Sequence, residues 1–228
     1  MTSQNVISHS HVFVPELEAD AYSAYGRKNV VPVPQRVKGI TKTRNWILDW
    51  CAKQNEKWVV MIDDDAKNVG YVELLESSAR HRKLDEETIV REFRKLFETT
   101  EDLKYRAWGC ATVSATRAVY PWKPFIFHSY ITGSCMGIVN DGRTRFDESF
   151  PVKEDYELCL RLIKEDGGVL CARYFYWENE HWTTPGGCRD YRTAEMEEKA
   201  IFRLMDKYPG MIRRVSRGGS VYSIHLDF

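Results

Sequence analysis

The stretch Lys57-Trp58-Val59-Val60-Met61-Ile62-Asp63-Asp64-Asp65 is the most informative part of the chain. Its apolar, β-branched and aromatic half predicts a buried strand, and three carboxylates follow where that strand ends. Like charges this close repel, and a hard divalent cation with oxygen ligands neutralises them and also binds phosphates. The stretch predicts either a site for a metal-bound, phosphate-containing substrate or a solvated turn that caps the next helix.

The segments on either side of this stretch predict an α/β fold. A strand over 29–33 is followed, after Gly39, by a helix with apolar residues at helical spacing, and then by the strand that ends in the Asp triplet. Strand, helix, strand within about thirty residues indicates a βαβ unit with parallel pairing. We therefore expect a mixed, mainly parallel sheet flanked by helices, with ligands beyond the carboxyl ends of its strands.

Length and composition indicate one globular domain over residues 1–228. The chain is 43% hydrophobic and 29% charged, and its 33 basic and 33 acidic residues give no net charge. A basic segment runs from about 189 to 228 and includes Arg213, Arg214 and Arg217. No apolar stretch is long enough to span a membrane, and the N-terminus lacks the pattern of a signal peptide. With six cysteines and no CxxC pair, we expect a cytoplasmic protein with reduced cysteines and no membrane partner.

Two further pairs carry candidate chemistry. Arg44-Asn45 stands near the start of the helix before the Asp triplet, where arginine and the helix N-terminus both favour phosphate; the alternative is an exposed helical arginine. Glu154-Asp155 opens another predicted helix. Acidic residues there are stabilised by the helix dipole, and a carboxylate facing a cleft can also serve as a general base.

Three more residues complete the candidate set. His181 follows a predicted strand and precedes Pro185-Gly186-Gly187. It is either a surface residue or a metal ligand through a neutral imidazole nitrogen. Gly133 and Gly137 interrupt a predicted strand over 131–139, and such glycines often mark the close approach of a ligand or of another backbone.

In their order along the chain, these motifs resemble the GT-A glycosyltransferases. The resemblance runs from Phe13 to Gly187 and includes Phe146-Asp147-Glu148. It implies a GT-A, Rossmann-like fold and a UDP-sugar donor bound with manganese or magnesium. The resemblance implies that Asp63 and Asp65 hold the metal, ribose and diphosphate, that Asp64 lies near the sugar, and that Arg44 with Asn45 contacts the donor. It also implies that Gly133 and Gly137 let a substrate lie against the backbone and that His181 completes the metal site. Asp155, or less favourably Glu154, is then the base of an inverting reaction.

The opening His11-Val12-Phe13-Val14-Pro15 and the segment over 178–187 are more specifically similar to the TET-associated glycosyltransferases. Members of that family are found in bacteriophages and modify 5-hydroxymethylcytosine in DNA. The resemblance implies a hexosyltransferase that acts on this base in the cytoplasm of a bacterial host.

Three other functions fit the same residues. A GT-A enzyme that acts on a glycan or a protein hydroxyl would have the same donor motifs. A nucleotidyltransferase also pairs carboxylates with a metal, but the acidic Pro15-Glu16-Leu17-Glu18 stands where its glycine- and lysine-rich loop would be. The third is a non-catalytic DNA-binding protein that has kept a transferase fold. The presence of all three carboxylates, Asp63, Asp65 and Asp155, disfavours it.

Overall fold

The computed structural model describes residues 4, 6–74, 79–112, 123–179, 193–217 and 220–227. The helices are α1 Ala19–Ala24, α2 Ile40–Lys53, α3 Glu86–Asp102, α4 Glu154–Asp166 and α5 Ala194–Lys207. The strands are β1 Val12–Pro15, β2 Val30–Val33, β3 Trp58–Ile62, β4 Ala66–Leu74, β5 Ala79–Lys83, β6 Ala107–Thr112, β7 Phe125–Ile126, β8 Cys135–Val139, β9 Leu170–Asn179, β10 Ile212–Arg217 and β11 Ser220–Leu226.

The central sheet has seven strands and is mixed. Its order is β3-β8-β6-β9-β4-β5, with β7 paired to β9. Within the described part of the chain, β6 and β9 are the parallel pair of this sheet, and its other pairs run antiparallel. The prediction of a mixed sheet flanked by helices is confirmed, and the prediction that its strands are mainly parallel is wrong.

The prediction of a mainly parallel sheet failed because β2 does not pair with the strand that was expected. This strand pairs in parallel with β1, with Val14 opposite Pro32, and the two form a separate sheet. Pro32 has no N–H to donate, which limits its strand to pairing on one side. The Asp-triplet strand β3 instead pairs antiparallel with β8, Ile62 opposite Cys135. The parallel unit is therefore β1-α1-β2, and the predicted β2-α2-β3 pairing is not formed.

Helices pack on both faces of the central sheet because side chains alternate along its strands. On one face Met136 and Ile138 of β8 join Leu48 of α2 and Leu158 of α4 in one buried cluster. On the other face, Cys135 and Val139 belong to the cluster that contains Phe93 and Leu96 of α3. This arrangement brings the first turns of α2 and α4 toward the end of β3.

The C-terminal elements attach to α4. Leu204 and Tyr208 at the end of α5 pack with Phe150 and Leu160 in a third buried cluster. The β10–β11 hairpin carries the predicted basic residues, of which Arg213 pairs with Asp227 at 2.8 Å. Among the described helices, none combines the length and the apolarity that crossing a bilayer requires.

Candidate functional site

The Asp triplet forms the connection between β3 and β4. The main-chain N–H of Asp63 donates to the carbonyl of Ser134 at 3.0 Å, which fixes the triplet beside the loop before β8. Asp63 keeps 42% of its side chain exposed, Asp64 is exposed and Asp65 is half-buried. The triplet forms a turn with Asp64 exposed, as the alternative predicted, but β4 begins directly at Ala66, so the predicted helix cap is wrong.

Arg44 joins the triplet to the start of α4. Its guanidinium is buried in the first turns of α2, where Nη1 donates to Glu154 Oε1 at 2.8 Å. Nη2 donates to the carbonyl of Gly133 at 2.9 Å and lies 3.5 Å from Asp63 Oδ1. This geometry gives Arg44 a bridging role, and its burial makes the alternative of an exposed helical arginine wrong. The contact of Arg44 with a donor stays a prediction.

Asp155 is held by three donors. Its Oδ2 accepts from the main-chain N–H of Gly133 at 3.1 Å and from the hydroxyl of Tyr130. Its Oδ1 accepts from the N–H of Tyr156 at 2.9 Å. Sequence reasoning missed Tyr130 in this role, because the residue stands in an irregular segment 25 positions before Asp155 and carries no motif.

Burial and mutual repulsion raise the pKa values of this cluster. Burial, followed by the charge of Asp155, raises the pKa of Glu154 to about 7 although Arg44 opposes the shift. Burial also raises the pKa of Asp63 to about 6, against the opposing effect of Arg44 and with support from Asp65, Asp64 and Asp155. The site thus holds more negative charge than Arg44 neutralises, which is the electrostatic condition for binding a cation.

Asn45 makes hydrogen bonds to the segment before α4, and its predicted contact with a donor is not tested by them. Its side-chain amide donates to the carbonyl of Phe146 at 2.9 Å and its oxygen accepts from the N–H of Phe146 at 2.8 Å. The amide nitrogen of Asn45 also donates to Glu148 Oε1 at 3.2 Å. Asn45 therefore ties α2 to the loop before α4, and its polar atoms are occupied by the protein.

Gly133 lies in the turn before β8, which begins at Cys135 and not at 131 as predicted, and Gly137 lies within β8. Internal contacts account for both glycines. A Cβ on Gly133 would lie 2.5 Å from Arg44 Nη1, and a Cβ on Gly137 would collide with the indole ring of Trp108. Trp108 is fully buried in the core. Gly133 thus makes room for the bridging guanidinium and Gly137 for a core ring. Contact of either glycine with a substrate stays a prediction.

His181 lies outside the described residues. Within the described part, β9 ends at Asn179, opposite Ala66, the residue that follows the Asp triplet. No group of three or more His, Cys, Asp or Glu side chains in the described ranges is arranged to hold a metal ion. Asp63 and Asp65 nevertheless supply the hard oxygen atoms that Mg²⁺ or Mn²⁺ prefers, two residues apart in one connection.

A recess of about 430 Å³ lies beside the first turn of α2. Its walls include Phe13 of β1, Val33 of β2 and Val37, and Gly39 and Thr43 complete it. It stands at the carboxyl ends of the parallel β1 and β2, where open α/β sheets place their ligands. Sequence reasoning did not find the recess, although the apolar residues around Pro15 and Pro34 at two strand ends were a signal for it.

Comparison with known proteins gives one family match. The model of the TET-associated glycosyltransferase family matches residues 2–187, a range that contains the Asp triplet, Glu154-Asp155 and His181. The curated proteins give no match.

Proposed function

The chain belongs to the TET-associated glycosyltransferase family, and on that basis we propose that it transfers a hexose from a UDP-sugar to the hydroxyl of 5-hydroxymethylcytosine in DNA. The match to the family model confirms the family that the sequence suggested. The donor, the acceptor and the mechanism are our proposal. DNA of an infecting bacteriophage would be the substrate, in the cytoplasm of the bacterial host.

One observation carries the proposal: two carboxylate motifs 91 positions apart in the chain meet at one site. Arg44 contacts Asp63 of the first motif and Glu154 of the second. The proposed metal-dependent, inverting transfer uses acidic groups for two purposes, one to bind the charged donor through a cation and one to accept a proton from the nucleophile. Through this bridge, one buried guanidinium contacts a carboxylate of each motif.

The donor half of the site would consist of the recess and the Asp triplet. The recess lined by Phe13, Val33 and Val37 has the size and the apolar character for the nucleoside. Asp63 and Asp65 would hold the divalent cation, with His181 as a third ligand and Asp64 nearer the sugar. When bound, the cation would neutralise the charge that develops on the departing diphosphate.

The acceptor half of the site would depend on Asp155. Its carboxylate would take the proton of the hydroxymethyl group while the hydroxyl oxygen forms a bond to the anomeric carbon and the bond to the UDP oxygen breaks. Such in-line attack inverts the configuration at that carbon. The donors from Gly133, Tyr130 and Tyr156 orient the carboxylate for this step. Arg44 supports the donor half and the acceptor half of the site because its contacts fix Glu154 and Asp63 relative to each other.

Reaching a hydroxymethyl group on a base requires access to the duplex interior or its major groove. The sequence offers four aromatic residues for stacking on a flipped base: Trp122, Tyr130, Trp177 and Trp182. Trp177 is buried in the core and is therefore not available for this contact. Tyr130 is half-buried and engaged with Asp155. Trp122 and Trp182 lie outside the described residues.

The test is a product assay with purified protein. The protein is incubated with a panel of UDP-sugars, manganese, and DNA that contains either cytosine or 5-hydroxymethylcytosine, and the DNA is digested to nucleosides for mass spectrometry. We expect a hexose-sized mass increase on the hydroxymethylated nucleoside alone, lost on chelation and restored by added manganese. Transfer to a glycan or a peptide with unchanged DNA would refute the acceptor, and activity in chelator would refute the metal.

A further inference from the structure

Helix α5 lies outside the range that matches the family, yet it contacts the start of the helix that carries Glu154 and Asp155. The match ends at residue 187, and α5 spans Ala194–Lys207. Apolar residues of α5 pack against the α4 side of the molecule, where Ala200 and Leu204 join Leu160 and Phe150 in a buried cluster. The packing places the first turn of α5 beside the residue that precedes α4.

That residue is Lys153, and it forms a buried ion pair with α5. Its ammonium lies 2.9 Å from Glu197 Oε2, with side-chain exposures of only 10% and 5%. Lys153 adopts a left-handed backbone conformation, φ 62° and ψ 22°. A non-glycine residue is unfavourable there and persists where its surroundings impose it. The pair therefore fixes the direction in which the chain enters α4.

A row of aromatic contacts continues from Lys153 to Asp155. The ammonium lies over the ring of Tyr156 at 5.4 Å from its centre. Tyr156 stacks on Tyr130, with ring centres 4.0 Å apart and planes at 16°. Tyr130 donates its hydroxyl hydrogen to Asp155 Oδ2. Glu197 is thus connected to Asp155 both through the backbone before α4 and through stacked rings.

We propose that Lys153 and Glu197 are positioning residues that hold the Asp155 carboxylate in its reactive orientation. The inference rests on the proposed function, in which Asp155 accepts the proton of the acceptor. It makes α5 a part of the active-site framework of this chain. Small displacements of a catalytic group reduce the rate of the chemical step much more than they weaken the binding of a substrate.

The first test is kinetic and uses the double variant Lys153→Met with Glu197→Leu, which removes both charges of the ion pair together. We expect kcat to fall about tenfold to a hundredfold while KM for the donor changes less than about twofold. Glu197→Gln alone leaves the buried Lys153 ammonium without its carboxylate, so kcat should fall at least as far as in the double variant. Glu195→Gln is the matched control, because Glu195 lies in the same turn but pairs with Lys199 in solvent, at 75% exposure.

The second test measures amide hydrogen exchange and needs no activity. In the double variant, exchange at residues 154–158 should rise about tenfold, while α3 and the Glu195→Gln control keep the parent rates. If the parent protein transfers no sugar but this local increase is seen, the proposed function fails and the positioning contact stands. Parent kcat together with parent exchange in the double variant would overturn the inference. So would a kcat loss accompanied by faster exchange throughout the molecule, since that pattern indicates a general effect on stability.

Discussion

At the scale of single residues, the site depends on a buried arginine between two acidic groups. Breaking such a pair leaves an uncompensated buried charge, so Arg44, Asp63 and Glu154 are energetically coupled. Asp155 stands beside them and accepts hydrogen bonds from Tyr130, Gly133 and Tyr156. Under the proposed function, Arg44 and Glu154 support the site, Asp63 also binds the cation, and Asp155 accepts the proton.

Replacement of Asp155 by asparagine should abolish transfer. The amide is nearly the same size but does not accept a proton, so kcat should fall by at least about a hundredfold while donor binding stays within about threefold. Product assays and calorimetric titration with UDP measure the two quantities. Asp102→Asn, at the exposed end of α3, is the control. Substantial transfer by the Asp155 variant would assign the base elsewhere.

Replacement of Glu154 by glutamine should flatten the pH dependence of stability. Burial raises the pKa of Glu154 from 4.5 to about 7. The folded state therefore binds this proton more tightly than the unfolded chain, and the free energy of unfolding falls as pH rises between those two values. Urea unfolding of both proteins in chelator, at about pH 5 and about pH 7, should show a smaller decrease for the variant. An identical decrease would mean that Glu154 does not titrate in this range.

At the scale of elements, the sequence predicted helices and strands better than their connections. Helix α4 begins at Glu154, as predicted, and its C-terminal cap is Gly167 at φ 83°, a backbone conformation that favours glycine. The hairpin of β4 and β5 was missed. Strand β4 contains Asn68 and Gly70, residue types that are rare in strands, and an Asp triplet before it suggested a helix cap. Gly70 is required because a Cβ there would lie 2.2 Å from the carbonyl oxygen of Arg82 on the paired strand β5 and 2.7 Å from the hydroxyl of Tyr176, contacts that only the folded sheet creates.

Gly137→Ala should destabilise β8 without touching the site directly. The added methyl group would collide with the Trp108 ring, which is fully buried and has little room to move. Overpacking of this kind costs about 1–3 kcal/mol in the free energy of unfolding. Denaturant unfolding monitored by tryptophan fluorescence measures it. An unchanged midpoint would mean that the ring relaxes and that the glycine has another purpose.

At the scale of the whole molecule, a chain without net charge would bind DNA through a local basic surface. Part of the basic C-terminal segment is already paired, Arg213 with Asp227 and Arg214 with Glu198. Arg82 and Lys83 on the edge strand β5 are exposed, although Arg82 has Glu73 within 3.4 Å. The basic groups at 189 and 192 lie outside the described residues.

If phosphates are contacted, affinity for DNA should fall steeply with salt. About four contacts predict a loss of about a hundredfold between about 50 and 200 mM salt. Fluorescence anisotropy on a labelled duplex with 5-hydroxymethylcytosine measures it, and Arg82→Gln should lower the slope if β5 follows the backbone. Affinity that does not change with salt would contradict a DNA acceptor.

The sequence by itself determined the main helices and strands, the two acidic motifs and the family, because these depend on residues that are neighbours in the chain. The tertiary structure decided which strands pair, the bridge made by Arg44 and the contact of α5 with Lys153. Arg44 and Glu154 are 110 positions apart, and no local periodicity encodes their meeting. Pairing of β3 with β8, and of Lys153 with Glu197, likewise follows from packing of the whole chain, in which each group finds its partner only once the others are placed.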